Sequence, residues 1–188
     1  MKTTSINLAL ETDPHLYKTK RLRIDRLGIN GDIYEVDFED LAKFPNLQSL
    51  TVASYDFSFA DFKKMCESNI SELILINCEM RENVEELISK SNISNLTLNN
   101  VVNIDVSKIE KDFKYLELRD VDFKLPKGKI ALLDITFCEF SGDDFLKIGA
   151  DKIVINVSQY QKYKDIILKN KMKATIMADN GVIKLGEV

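Results

Sequence analysis

Residues 70–80 read ISELILINCEM, and residues 130–140 read IALLDITFCEF. Both spell one phrase: apolar, two free positions, apolar, one free, apolar, two free, small, one free, bulky. Ile70, Leu73, Leu75, Cys78 and Met80 answer to Ile130, Leu133, Ile135, Cys138 and Phe140. The middle of the phrase alternates apolar and free positions. A strand sends successive side chains to opposite faces, so this predicts a strand with one buried face, roughly three to five residues long.

The apolar-x-apolar pair returns along the chain. It stands at Leu22/Ile24, Leu50/Val52, Leu73/Leu75, Leu96/Leu98, Leu116/Leu118, Leu133/Ile135 and Ile153/Ile155, with Ala174/Ile176 as a degraded eighth copy. Three positions upstream sit Leu47, Ile70, Ile93, Phe113 and Ile130 in the central copies. Three positions downstream come Leu27, Tyr55, Cys78, Val101, Val121, Cys138 and Ser158. Two further on come Ile29, Phe57, Met80, Asn103, Phe123, Phe140 and Tyr160. A recurring unit of this length is one supersecondary element stacked on copies of itself.

The segments between copies are read by length. Phe59 to Met65 and Val84 to Ile88 carry apolar residues at helical spacing. Ser58-x-x-Asp61 and Ser141-x-x-Asp144 are capping signals for two such helices. Residues 160–170 (YQKYKDIILKN) form another amphipathic candidate. The short interval from Leu116 to Leu133 holds Leu125-Pro126-Lys127-Gly128 and predicts an extended or turn-like return. Val106 to Asp112 has room for one helical turn.

The phrase resembles the leucine-rich repeat family over roughly Leu22 to Ile176. The copies beginning at Cys78 and Cys138 are most similar to its cysteine-containing and ribonuclease-inhibitor-like subfamilies. That resemblance implies an α/β solenoid, a horseshoe of six to eight repeats. A parallel sheet would line its concave face, with helices and irregular returns on the convex face. The repeats here differ in length, and the small position is seldom asparagine.

The expected organisation is a single domain over 1–188: an N-terminal cap with the first repeat over 1–45, central repeats over 46–170, and a C-terminal cap hairpin over 171–188. Ile6, Leu8 and Leu10 alternate, and Asn30-Gly31 is a hairpin signal near one end. Asn180-Gly181 is its counterpart at the other, where an antiparallel strand would close the open sheet edge.

Composition narrows the function. Apolar residues are 45% and charged residues 30% of the 188, which suits a folded soluble domain rather than a disordered chain. The formal net charge is −4, with lysine and arginine scattered, so no nucleic-acid partner is expected. No apolar run reaches the length of a membrane span, and no cationic start followed by an apolar stretch suggests a secretory leader. Cys66, Cys78 and Cys138 are odd in number and lack a C-x-x-C pair, which points to reduced thiols and a cytoplasmic setting.

Candidate chemistry is sparse. Cys78 and Cys138 stand at equivalent positions and read as buried thiols facing a turn; the sole histidine, His15, is far away in sequence. Glu85-Glu86 and Asp143-Asp144 fall in first turns of helices, where negative charge complements the helix dipole. Gly128, Gly142 and Gly149 are isolated, so no phosphate-cradling loop exists. The lysine-rich stretch 162–173 reads as a solvated helix face. No catalytic residue, metal ligand, cofactor or small-molecule site is assigned, and an enzyme is not expected.

The outward strand positions carry more. Arg23, Thr51, Ile74, Ile76, Thr97, Asn99, Tyr115, Glu117, Arg119, Leu132 and Asp134 would form columns on one continuous surface. Ile74, Ile76, Tyr115 and Leu132 are apolar or aromatic among charged and polar neighbours, a mark of an interaction site. The expected function is a non-catalytic scaffold that binds a protein partner through the concave face. The alternative is an inhibitor or immunity-type protein that neutralises a toxin or enzyme.

Overall fold

The computed structural model describes residues 13–26, 36–178 and 181–186. The hairpin signal around Asn30-Gly31 and the alternation of Ile6, Leu8 and Leu10 lie outside them. The described chain is a mixed α/β structure built on a ten-stranded, mostly parallel sheet that is not closed into a barrel. Its strands are β1 (Arg21–Asp25), β2 (Ser49–Ala53), β3 (Asp56–Phe57), β4 (Glu72–Met80), β5 (Asn95–Val102), β6 (Phe113–Arg119), β7 (Ile130–Phe137), β8 (Ala150–Asn156), β9 (Ala174–Ala178) and β10 (Gly181–Leu185). The spatial order is the chain order, with β3 pairing the far end of β4. Pairs from β1 to β9 are parallel; β10 returns antiparallel on β9, as the Asn180-Gly181 signal anticipates.

The repeated apolar residue stacks in register. Leu22, Leu50, Leu73, Leu96, Leu116, Leu133, Ile153 and Ala174 are successive cross-strand partners. All of these but Leu22 are buried, and each removes apolar surface from water on both sides at once. Leu47, Ile70, Ile93, Phe113 and Ile130 are buried beside them. One apolar cluster runs from Ile24 to Ile176.

Five strands exceed the expected three to five residues: β4 has 9, β5 and β7 have 8, β6 and β8 have 7. In β4 and β5 the reason lies after the apolar pair. Asn77 and Asn100 take left-handed backbone (φ 53° and 51°), yet the ladder resumes beyond them, with Cys78 opposite Val101 and Glu79 opposite Val102. The bend that turns Cys78 and Met80 inward therefore does not end the pairing.

The helices are α1 (Phe59–Glu67), α2 (Glu85–Lys90), α3 (Gly142–Leu146) and α4 (Val157–Lys169). Their buried side chains, among them Phe62, Met65, Ile88, Phe145 and Ile167, join the cluster that holds the leucine row, so they cover that face of the sheet. Ser58 Oγ accepts from Asp61 N at 3.2 Å and Ser141 Oγ from Asp144 N at 3.1 Å, as the capping signals predict. Such a cap stabilises a helix by about 1 kcal/mol. A single helical turn at Val106–Lys108 and a non-helical return before β7 also follow the spacing. Helix α4 starts three residues before Tyr160. Asn156 and Gln159 cap it reciprocally, so Ser158 and Tyr160 are helical rather than the small and bulky residues of a turn. Asn103 also departs from its expected inward place: it is exposed at φ 62°, and the neighbouring Ile104 packs on the core instead.

Two glycines sit in different returns, Gly128 in the short one before β7 and Gly149 just before β8. Gly128 lies so close to the preceding segment that a Cβ built on it would stand 1.9 Å from the Lys111 carbonyl oxygen. Around Gly149 there is open space. Farther on, Phe140, Phe145 and Tyr163 stack at centroid distances of 4.7 to 5.6 Å, and Tyr163 Oη donates to the Phe140 carbonyl at 2.6 Å. This fastens α3 and α4 to each other and to the segment that precedes α3.

Candidate functional site

The sheet face away from the leucine row places the outward residues in three lines. The central line is Arg23, Thr51, Ile74, Thr97, Glu117 and Asp134, strand by strand. Beside it run Ile76, Asn99 and Arg119, and on the other side Tyr115 pairs with Leu132. Ile74 and Ile76 are parted from Tyr115 and Leu132 by the polar strand β5, so the apolar residues form two small patches. Arg23, at the far edge on β1, pairs with Asp25 at 3.5 Å and stays exposed.

Most of this face is half-buried, because adjacent strands about 4.8 Å apart crowd each other's side chains. Glu117 is buried, only 8% exposed. It survives there because three donors meet its carboxylate. Tyr115 Oη donates to Oε2 at 2.9 Å, Thr97 Oγ1 donates to Oε2 at 3.2 Å, and Arg119 Nε donates to Oε1. Burial pushes the Tyr115 phenol upward, and the Glu117 and Asp134 charges add to that. Next door, Asp134 Oδ1 accepts from Thr136 N at 3.0 Å and from Thr136 Oγ1 at 2.6 Å. Asn156 Nδ2 donates to the Thr136 carbonyl at 2.6 Å, which ties β8 to the same corner.

A slip in the β6–β7 ladder shapes that corner. The register changes between Glu117 and Arg119, so Arg119 faces Phe137 rather than Thr136. Phe137 is left 55% exposed, with the Arg119 guanidinium carbon 4.5 Å from its ring centre. Beside it opens a cleft of about 690 Å³. Val102, Ile104 and Phe137 line it together with Asp120, Asp122 and Glu139. A second cleft of about 470 Å³ shares Val102 and continues to Asn77 and Asn100. Asn100 Nδ2 donates to Asn77 Oδ1 at 2.9 Å.

Sequence reasoning missed Phe137, Val102 and the carboxylates of this cleft. One signal was available. Ser54, Asn77, Asn100 and Asp120 each stand two places after an apolar pair, and all four have positive φ. Asn and Asp tolerate that conformation better than other side chains, and here they mark one edge of the sheet.

The cysteines are buried against backbone carbonyls or in the core, and one of the paired acids is buried with them. Cys78 Sγ donates to the Ile76 and Val52 carbonyls at 3.4 and 3.5 Å, and Cys138 Sγ to the Leu118 carbonyl at 2.8 Å. Burial pushes the Cys66 and Cys138 thiols up to about 12 and raises that of Cys78. These thiols stay protonated near neutrality, which makes them poor nucleophiles. Glu85 does more than complement a helix dipole: it is buried and accepts from Asp105 N at 2.8 Å, holding the next return in place. Gln159, also unforeseen, is buried and donates through Nε2 to the Ile135 and Cys138 carbonyls at 2.7 and 2.9 Å.

Among the described residues, no group of three or more His, Cys, Asp and Glu side chains is placed to hold a metal, and no helix is long and apolar enough to cross a membrane. No family model, curated protein or solved structure matches the chain.

Proposed function

We propose that the chain is a leucine-rich-repeat-type solenoid whose Glu117-bearing face is the inner side of a curve. In this reading it works in the cytoplasm as a non-catalytic scaffold that binds another protein. The register of the leucine row supports the repeat, and three buried free thiols suit a reducing compartment. One observation carries the function: Tyr115, Thr97 and Arg119 are all held on the Glu117 carboxylate. Side chains fixed in advance lose little conformational entropy when a partner arrives. A carboxylate already accepting three donors beside a raised phenol is a recognition surface rather than an acid–base pair.

The test starts with affinity purification from the native cell and identification of what is retained. A double variant, Ile76→Ala with Tyr115→Ala, is expected to lower that retention at least about ten-fold while remaining folded by circular dichroism. Undiminished retention overturns the assignment of this face.

The inhibitor or immunity-type reading has one observation in its favour. Asp120, Asp122 and Glu139 line a cleft that no lysine or arginine among the described residues lines, on a chain of net charge −4. A basic target would be steered to it, and its association rate would fall as salt rises.

A further inference from the structure

Resting on the scaffold reading, we infer that the cleft beside Phe137 takes an extended partner segment that sets a lysine or arginine next to a leucine-sized apolar side chain. Two apolar side chains of the cleft are exposed. Val102 is 47% and Phe137 is 55% exposed, and both line the same cleft. Arg119 lies over the Phe137 ring, so the aromatic wall is held in position before anything binds.

The charged half is complementarity. Asp120, Asp122 and Glu139 line the cleft, none has an ion pair among the described residues, and no lysine or arginine lines it with them. The two nearest cations along the chain are engaged elsewhere: Arg119 with Glu117, and Lys124 with Asp105 at 3.3 Å. An acidic segment would be repelled here. A neutral one would cover three carboxylates without compensating them. A cation beside an apolar group meets both demands.

The direction of the segment follows from the adjoining cleft. Val102 belongs to both cavities, so the path runs from Phe137 past Val102 to the Asn77–Asn100 pair. At that far end the acids are already occupied: Asp56 holds Arg81, and Glu79 accepts from Asn103 Nδ2 at 3.1 Å. The cationic anchor therefore belongs at the Asp120 end, and neutral polar backbone contacts at the asparagine end.

The experiment uses the full ¹⁵N-labelled chain and three capped tetrapeptides: Arg-Leu-Arg-Leu, Ser-Leu-Ser-Leu and Glu-Leu-Glu-Leu. The arginine peptide is expected to move amide signals of residues 101–104, 120–123 and 137–139. It should bind at least about ten-fold tighter than the serine peptide at low salt, and the acidic peptide should not bind. The triple variant Asp120→Asn, Asp122→Asn and Glu139→Gln keeps the shape of the cleft and should remove about that ten-fold advantage. Equal binding of the serine peptide, signals scattered over the surface, or a triple variant that binds as the parent does would overturn the inference. The two readings separate cleanly. If parent and triple variant retain the cellular partner equally, the cleft assignment falls and the scaffold stands. If no partner is retained while the arginine peptide still fills the cleft, the scaffold falls and the cleft stands.

Discussion

Strands β4 and β5 and strands β6 and β7 solve the same problem differently. Between β4 and β5 the copies are 23 residues apart, from Leu73 to Leu96, and residue faces residue without a slip, Glu72 opposite Asn95 through Ile76 opposite Asn99. Between β6 and β7 they are 17 apart, from Leu116 to Leu133, with no helix in the return and a shifted ladder. The regular pair spends its side chains on packing. The shortened pair pushes backbone onto backbone at Gly128 and leaves Phe137 in solvent. The polar cluster and the cleft both sit at the shortened pair. Irregularity in the repeat is thus where this molecule acquires surface chemistry.

The heaviest blow to the regular side is Leu96→Ala. Leu96 is fully buried between Leu73 and Leu116, and truncation should cost about 4 kcal/mol in chemical denaturation. A cost under about 1 kcal/mol would mean that the row is not the core. On the irregular side, Gly128→Ala should cost about 3 kcal/mol, because the new methyl has only the Lys111 backbone to displace. Gly149→Ala, with open space around it, should fall within about 0.5 kcal/mol of the parent. Similar losses for both glycines would erase the distinction drawn between the returns.

Alkaline pH probes the thiols of both kinds of copy. Cys66 and Cys138 are raised from an ordinary value near 9 to about 12 in the fold, so the unfolded chain releases their protons first. Stability is then fully present below pH 9 and is lost between about 9 and 12. Denaturation midpoints that stay level across that window would contradict it, as would rapid labelling of the native thiols by a disulfide reagent at pH 8. A modest effect is expected of Asn100→Ala, which keeps a positive φ without a side chain suited to it and loses the bond to Asn77. About 1 kcal/mol is expected, with Asn100→Gly recovering most of it.

What could be read from the chain, and what could not, divides along the same line. The leucine row, the serine caps at Ser58 and Ser141, the short turn at Val106 and the antiparallel end all depend on neighbours in sequence, so periodicity reveals them. The strands outrun the local pattern because pairing resumes after Asn77 and Asn100, a fact of register. Glu117 reads as an outward acid, and its burial comes from Thr97, Tyr115 and Arg119 closing around it from two strands. Gln159 lies between Ser158 and Tyr160 where a turn is expected, and its value comes from carbonyls more than twenty positions back. Phe137 stands at a free position of the phrase, and a one-place slip turns it into a wall. The asparagines at positive φ were the one legible clue to that edge.

The reversal of β10 also bears on how such a chain lengthens. Every unit up to β9 hands its successor a strand of matching polarity, which is what makes tandem duplication structurally cheap. A unit copied in after β10 would meet a neighbour running the opposite way, with its ladder geometry and its apolar face out of phase. Copying in parallel register is therefore open between the strands up to β9, and the reversed strand Gly181–Leu185 interrupts that register.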